Sequence, residues 1–321
     1  MNVLTIAETQ SGKAAEPAAG DLVGGAYRLV APLGRGASSV VWLAEDERTG
    51  TTVAVKALHP SDSARAKFEE RFEREVRILG RLHGASGVRL VASGDHGGVP
   101  FVVMEHVRGI TLARLLRRKG HLGLPFVGHL VRSLLATLAA VHAEGVVHRD
   151  VKPSNLVVEG TTDRARLALV DFGLATSVDE PWITGHGVTV GTALYMSPEQ
   201  AFSPEPTDVH ADLWAAAVVA YECLTGRPPF EGDTFASVCV ALHRGMFPDA
   251  TVLREDLPPA LDAFFDVAFA PAKGSRFHDA ASMSEAFDDA LSDERSAQVV
   301  ARARAEARRA GSLTSRRSHA A

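Results

Sequence analysis

The sequence contains very few cysteines: two, Cys223 and Cys239, in a chain of 321 residues. Two thiols cannot form a disulfide framework, and a chain of this length does not need one in order to fold. One cysteine in each of two separate segments also lacks the spacing of a metal site. We therefore expect both thiols to be reduced and packed as small hydrophobic side chains.

Long hydrophobic runs and an excess of positive charge are missing as well. The longest apolar run, residues 213–221, has nine residues, whereas a bilayer-spanning helix needs about 20. Residues 1–10 lack the basic start of a secretory signal. The net charge is −5, and nucleic-acid-binding domains are usually basic. We therefore expect a cytoplasmic protein with no membrane span and no nucleic-acid partner.

The composition is that of a globular chain, with 46% hydrophobic and 23% charged residues. Residues 1–21 have no sustained period and are predicted to form a flexible arm, and residues 296–321 a disordered, basic tail rich in Ala and Arg. Between them, short β-rich runs surround one amphipathic helix up to residue 107, and helical periodicity then dominates. The patterns predict an α+β fold with a β-rich N-lobe over residues 22–107 and a larger, mainly helical C-lobe over residues 108–295.

A glycine-rich turn joins the first two predicted strands of the N-lobe. Gly34 and Gly36 have no Cβ, so the backbone amides of this turn can approach phosphate groups. Taken alone, the turn is equally typical of an ordinary β-hairpin. Lys56 closes the apolar run 53–56, and a lysine buried there needs an anion beside it. Glu75, 19 residues further on, is one of several glutamates on the predicted helix that could provide one.

Residues 148–155 carry the strongest chemical signal, because Asp150, Lys152 and Asn155 fall within one short loop. A carboxylate, an amine and an amide are the groups needed to accept a hydroxyl proton, steady a phosphate and bind Mg²⁺. Sixteen residues after Asn155, Asp171 follows an apolar run and precedes Phe-Gly. An aspartate at a strand end is a good second ligand, since Mg²⁺ prefers hard oxygen donors.

In this order and spacing, the motifs resemble those of the eukaryotic-like serine/threonine protein kinases found in bacteria. The resemblance covers about residues 27–290. It also rests on Gly191-Thr192, on Ser197-Pro-Glu199, on Asp212-Leu-Trp214 and on the late Arg276. It implies the bilobal protein kinase fold, with ATP bound between the lobes.

The resemblance implies transfer of the ATP γ-phosphoryl group to Ser and Thr hydroxyls of protein substrates, the kinase itself included. Asp150 would act as the catalytic base, Lys152 would steady the γ-phosphoryl group, and Thr192 would hydrogen-bond beside them. Lys56, paired with Glu75, would hold the α- and β-phosphates. The implied ligands of Mg²⁺, with Mn²⁺ as an alternative ion, are Asn155 and Asp171.

The resemblance also implies a nucleotide pocket. The glycine-rich turn would cover the phosphates, and adenine would lie between Val41 and Ala54 on one side and Val157 on the other. The backbone of Glu105 and Val107 would hydrogen-bond the base. The implied ATP-binding residues are Leu33, Gly34, Arg35, Gly36, Ala37, Ser38, Ser39, Val40, Val41, Ala54, Lys56, Met104, Glu105, Val107 and Val157.

Further residues are expected to hold or regulate the site. Arg149, beside the catalytic aspartate, suggests control by phosphorylation, because an unpaired buried guanidinium needs an anion. Within the loop of residues 174–196 we expect Thr184 to be the main phosphorylation site and Thr189 the second, and a homodimer would allow phosphorylation in trans. The implied structural residues, which include an ion pair between Glu199 and Arg276, are His148, Arg149, Glu199, Asp212 and Arg276.

Two other functions stay open at this point. A small-molecule phosphotransferase of the same fold shares the aspartate and asparagine, but typically lacks Lys152 in this setting and the segment from Gly191 to Glu199. A kinase-like scaffold would bind nucleotide without turnover. Two departures from the family pattern, Ser39 in place of the third glycine and Ala217 in place of a helix glycine, remove no catalytic group.

Overall fold

The computed structural model of the chain describes residues 4–6, 16–36, 39–58, 65–82, 88–160, 164–172, 190–202 and 207–292. Four predicted site residues and the basic tail lie outside these ranges: the glycine-turn residues Ala37 and Ser38, and the phosphorylation candidates Thr184 and Thr189. The lobes described below are built from the remaining residues.

The N-lobe is built on a seven-stranded sheet with the strand order β1-β6-β7-β5-β4-β3-β2. Along β4, every second side chain is buried, as expected for a strand with one face against a core. The C-lobe holds a second, three-stranded sheet of β8, β9 and β10. The strands are β1 (Leu4–Ile6), β2 (Leu22–Val23), β3 (Tyr27–Arg35), β4 (Ser39–Asp46), β5 (Thr51–Leu58), β6 (Leu90–His96), β7 (Val99–Glu105), β8 (Ile110–Thr111), β9 (Leu156–Glu159) and β10 (Arg166–Leu169).

Helices form most of the C-lobe, and one helix, α1, packs on the N-lobe sheet. Leu79 and Leu82 of α1 join Val102 and Met104 of β7 in the same hydrophobic cluster as the C-lobe core. The expected division into a β-rich N-lobe and a helical C-lobe is confirmed. The helices are α1 (Arg65–Leu82), α2 (Leu112–Lys119), α3 (Leu124–Ala143), α4 (Val190–Ala193), α5 (Pro198–Phe202), α6 (Val209–Thr225), α7 (Phe235–Arg244), α8 (Ala250–Leu253), α9 (Ala260–Ala268) and α10 (Ala280–Leu291), with 3₁₀ turns at Pro153–Asn155 and Lys273–Ser275.

Part of the segment predicted as a flexible arm has regular structure. Strand β1 pairs in parallel with β6, and the backbone N–H of Gly20 donates to the carbonyl of Leu29 at 2.8 Å. The run Leu-Thr-Ile in β1 has high strand propensity, and an open sheet edge offers it unpaired backbone groups. A prediction from periodicity alone misses such a strand because three residues are too few to show a period.

Helices α3 and α6 form the centre of the C-lobe. Helix α6 is buried on all sides, from Ala211 almost without interruption to Leu224, as expected for a helix that is apolar all round. Helix α3 packs against α6 and α10. By length and composition alone, α3 is the one described helix that could cross a membrane, and in this structure its apolar residues contribute to the hydrophobic core.

Candidate active site

Lys56, near the end of β5, contacts carboxylates from two other elements. Its Nζ lies 3.0 Å from Oε1 of Glu75 on α1 and 2.7 Å from Oδ1 of Asp171 after β10. Burial by itself would lower the pKa of Lys56, but the two carboxylates outweigh burial and raise it, so the ammonium stays charged. The structure therefore contains the predicted ion pair between Lys56 and Glu75, and both side chains are buried.

Asp171 adopts a backbone conformation that is unusual for a residue with a side chain. Its φ is +65°, in the left-handed region, which favours glycine. Desolvation would raise the pKa of Asp171, but the Lys56 ammonium outweighs it and holds that pKa below the usual value. The side chain is 47% exposed, so part of this anionic carboxylate is open to solvent.

The predicted catalytic loop brings its polar groups together around Asp150. Lys152 Nζ lies 2.8 Å from Asp150 Oδ1, and Asn155 Nδ2 donates to Asp150 Oδ2 at 2.9 Å. Lys152 also donates to Thr192 Oγ1 at 3.2 Å. Lys152 and Asn155 thus each hold one oxygen of the Asp150 carboxylate. Through Lys152, this loop also contacts Thr192, which is 40 positions further along the chain.

Asp212 of α6 fixes the backbone at the start of this loop. Its carboxylate accepts the backbone N–H of His148 at 2.8 Å and that of Arg149 at 2.7 Å. The imidazole Nε2 of His142 lies 2.8 Å from the same carboxylate. Asp212 is completely buried, and these bonds supply the partners that a buried carboxylate requires. The ring of His148 in turn packs edge-on against Phe172, with centroids 4.7 Å apart.

The expectation of an unpaired guanidinium at Arg149 is wrong. Its Nη2 donates to the carbonyl of Thr207 at 3.2 Å. Gln200 Nε2 donates to the carbonyl of Arg149 at 3.1 Å, so the side chain and the backbone of Arg149 both contact the segment that carries α5 and leads to α6. These partners lie more than 50 residues away in the sequence, which conceals them from motif analysis.

The predicted nucleotide pocket is distributed over three strands and the second sheet. Val41 pairs with Lys56 across β4 and β5, and Ala54 pairs with Met104 across β5 and β7. Val157 lies on β9, in the three-stranded sheet of the C-lobe. The predicted residues Leu33, Gly34, Arg35, Gly36, Ser39 and Val40 belong to the β3–β4 hairpin, where the backbone N–H of Gly36 donates to the carbonyl of Ser39 at 2.8 Å.

The segment expected to bind adenine is tied to both lobes. The backbone N–H of Glu105 donates to the carbonyl of Arg89 at 2.9 Å, and the Glu105 carboxylate lies 3.2 Å from Nη1 of Arg166 on β10. Val107 is buried. Arg166 thus links the last residue of β7 to the C-lobe. No sequence motif contains Arg166, so its role becomes visible only from its contact with Glu105 in the folded chain.

Glu199 and Arg276 form the predicted ion pair. Nη1 of Arg276 lies 3.0 Å from both carboxylate oxygens of Glu199, and the guanidinium carbon lies 4.6 Å from the ring centroid of Trp214. Arg276 also donates to the carbonyls of Ala270 and Pro271. The pair therefore attaches α5, which follows the Thr192 segment, to the helical core.

Asn155 and Asp171 form a donor set that suits Mg²⁺. They supply an amide and a carboxylate oxygen, the hard donors that Mg²⁺ and Mn²⁺ prefer. Because Asn155 directs its Nδ2 toward Asp150, its amide oxygen points elsewhere. The backbone N–H of Val170 donates to the carbonyl of Asn155 at 2.8 Å, which ties the two ligand segments together. Across the described ranges, no group of three or more His, Cys, Asp and Glu side chains could hold a metal, and two protein ligands leave room for phosphate oxygens.

Comparisons with known proteins identify the family of the chain. The family model described as the protein kinase domain matches residues 27–261. The serine/threonine-protein kinase PknH of Mycobacterium bovis is 37% identical over 269 residues, which cover 84% of this chain and 44% of PknH. PknD of Mycobacterium tuberculosis is 38% identical over 268 residues, covering 83% of this chain and 40% of PknD. The chain spans less than half the length of these relatives.

Solved structures give the same result. The crystal structure of the M. tuberculosis PknI kinase domain matches with a TM-score of 0.64 at 26% identity, covering 86% of this chain and 99% of that chain. A double mutant of the same domain matches with a TM-score of 0.66 at 24% identity, which supports the shared fold. The chain therefore belongs to the protein kinase family, in the group of bacterial serine/threonine protein kinases.

Proposed function

We propose that this chain transfers the γ-phosphoryl group of ATP to Ser and Thr hydroxyls of protein substrates. The observation that carries the proposal is the fixed carboxylate of Asp150, held by Lys152 at 2.8 Å and by Asn155 at 2.9 Å. A carboxylate held in this way can orient a substrate hydroxyl and take its proton, while the neighbouring ammonium stabilises charge on the transferring group.

The remaining groups act through position and charge. Lys56, kept charged between Glu75 and Asp171, binds the α- and β-phosphates. Asn155 and Asp171 would hold Mg²⁺, which would supply charge neutralisation on the phosphates of ATP. Preorganised charges in a partly closed cleft stabilise a phosphoryl-transfer transition state without having to reorient during the reaction.

A protein substrate is favoured over a small molecule by the segment around Thr192. The contact between Lys152 and Thr192 and the ion pair of Glu199 with Arg276 hold residues 190–202 beside the catalytic loop. Such a segment offers an extended surface to a polypeptide. The relatives with 37% and 38% identity are named serine/threonine-protein kinases, which also favours Ser and Thr as acceptors.

Regulation and location form a second part of the proposal. Thr184 and then Thr189 are phosphorylated by a second copy of the chain within a transient homodimer, and the protein acts in the cytoplasm. Phosphopeptide mapping of active enzyme tests the two sites. Finding neither residue modified would reject this part and leave the phosphotransfer proposal intact.

The first experiment is phosphate transfer from γ-labelled ATP to a generic basic protein, with wild type, Asp150→Asn and Asp288→Asn compared. Asp288 of α10 forms an exposed ion pair with Arg132 of α3 and is the matched control. Label on Ser and Thr with wild type and the control, but not with Asp150→Asn, supports the proposal. No label from wild type, although Mg²⁺-ATP raises its melting temperature, would instead favour the scaffold.

A further inference from the structure

Helix α2 and the residues that flank it concentrate positive charge beside the catalytic loop. Residues 106–121 contain five Lys and Arg residues and no Asp or Glu, within a chain whose net charge is −5. Leu112 and Leu116 are buried. The exposed side contains Arg114, Arg117 and Arg118, which we call the basic face.

The basic face lacks a carboxylate partner within the described ranges. Among the described residues, no carboxylate forms an ion pair with any of its three arginines, whereas the exposed Arg28, Arg132 and Arg227 pair with Glu47, Asp288 and Glu231. Arg114 is followed by arginines at the i+3 and i+4 positions, an arrangement of like charges that weakens a helix. Arg114 also lies in the first turn, where the helix dipole disfavours a cation. Arg117 and Arg118 lie in the last turn, where the dipole favours cations, but no carboxylate in the described part of the chain neutralises the three charges.

The fold places this helix at the edge of the catalytic cleft. Strand β8 leads directly into α2 and pairs with β9, with Thr111 opposite Val157 on the predicted adenine-binding strand. Helix α2 also packs against Pro153–Asn155 of the catalytic loop. Since Lys152 contacts Thr192, the loop lies between the Thr192 segment and α2. A polypeptide that extends from the Thr192 segment across Asp150 therefore runs toward the helix that packs on this loop, and the basic face is the exposed side of that helix.

We propose that the basic face binds acidic residues that flank the phosphorylated Ser or Thr of a protein substrate. The inference rests on the proposed function and adds a substrate class to it. In the catalytic loop, Asp150 is the sole carboxylate of residues 148–155, and Ser154 is the exposed residue next to α2. This part of the cleft edge therefore attracts acidic segments and repels basic ones.

A pair of peptides tests the inference on the full chain. Both carry one Ser, flanked on each side by two Glu in one peptide and by two Gln in its twin. We expect kcat/KM for the Glu peptide to be about tenfold higher, because two or three exposed charge pairs each contribute a small factor. Raising the salt concentration from about 0.05 M to about 0.5 M should remove most of the difference, since exposed charges are screened.

Two variants locate the effect. Arg114→Gln/Arg118→Gln removes two charges from the basic face, and Arg28→Gln/Arg132→Gln removes two charges from paired arginines elsewhere. In the first variant the preference for the Glu peptide over the Gln peptide should fall below about threefold. The KM for the Glu peptide should rise, and the KM for ATP should stay unchanged. The control should keep the wild-type preference. Equal use of both peptides by wild type, or a preference that survives in the first variant, overturns the inference while the proposed function stands.

A binding measurement separates docking from catalysis. Fluorescence anisotropy of a labelled Glu peptide reports binding even without turnover, so failure of the proposed function leaves a distinct pattern of binding without phosphorylation. Sedimentation with phosphatidylserine vesicles tests a membrane as the alternative anionic surface. Vesicle binding that requires Arg114 and Arg118, with no binding of the Glu peptide, overturns the inference in favour of a membrane.

Discussion

The buried carboxylate of Asp212 accepts the backbone N–H of Arg149 at 2.7 Å, and Arg149 has a φ of +66°. This left-handed conformation costs about 1–2 kcal/mol for a residue with a side chain, so the backbone needs an external partner to hold it. Asp212 supplies that partner from α6, the most deeply buried helix of the C-lobe. The position of Asp150, the next residue, is thereby coupled to the packing of the core.

The first prediction concerns this coupling. Asp212→Ala should lower the free energy of unfolding by about 3 kcal/mol, because buried backbone donors lose a charged acceptor, and kcat should fall at least tenfold. Asp208→Ala, which removes the N-cap acceptor of the same helix, is the control and should cost about 1 kcal/mol with kcat unchanged. Urea unfolding and steady-state kinetics measure both quantities. Equal loss of kcat in the two variants would show that helix stability alone matters.

The second prediction concerns the charge balance of Lys56 and Glu75. Lys56→Met should abolish phosphate transfer and lower the free energy of unfolding by about 3 kcal/mol, because the carboxylate of Glu75, 2% exposed, loses its counter-charge. Adding Glu75→Gln removes that charge and should restore more than half of the stability but no activity. Thermal or urea unfolding of the two variants is the measurement. A double variant no more stable than the single one would contradict the argument.

The third prediction separates the geometry of Arg276 from its charge. Arg276→Lys keeps the charge but loses the bonds to the carbonyls of Ala270 and Pro271 and the stacking on Trp214, so we expect a loss of about 2 kcal/mol. Arg132→Lys, at an exposed pair with Asp288, should cost less than about 0.5 kcal/mol. Chemical unfolding compares them, and similar costs at the two sites would count against a special role for the buried pair.

The site was more predictable from the sequence than its supports were. Lys56, Asp150, Asn155 and Asp171 carry a chemical signal because each is a polar residue at a fixed distance from a strand or loop motif. The contact of Arg149 with Thr207 carries no such signal, since it depends on how the loop packs on α6. The amphipathic helix of the N-lobe, α1, is long enough to show a period and was predicted, whereas the three-residue strand β1 was not.

The fourth prediction is a pH dependence of stability that arises at His148. Burial lowers the pKa of His148 below its usual value of about 6.5, although nearby carboxylates oppose this. The folded protein thus keeps the imidazole neutral, and its Nδ1 faces the backbone N–H of Asp150 at 3.3 Å. Below about pH 6.5 the unfolded chain takes up a proton that the folded chain does not, so stability falls as the pH falls.

Comparison with His148→Phe isolates this contribution. The variant keeps an aromatic ring beside Phe172 but does not titrate. Between about pH 7.5 and 5, the free energy of unfolding of wild type should decrease more steeply than that of the variant, by up to about 1.4 kcal/mol per pH unit. Urea unfolding at several pH values provides both curves, and parallel curves would place the titrating group elsewhere.

The last prediction concerns Gly109, where the chain leaves the segment expected to bind adenine. A Cβ at this position would lie 2.3 Å from the carbonyl oxygen of Val158, so Gly109→Ala must push β8 away from β9. We expect a loss of stability of about 1–3 kcal/mol and a higher KM for ATP, because Val157 on β9 pairs with Thr111 across the disturbed contact. Gly274→Ala, whose Cβ would meet no atom within 4 Å, is the control and should leave the KM for ATP unchanged. If Gly109→Ala binds ATP as tightly as the control does, the β8–β9 pairing does not position the pocket.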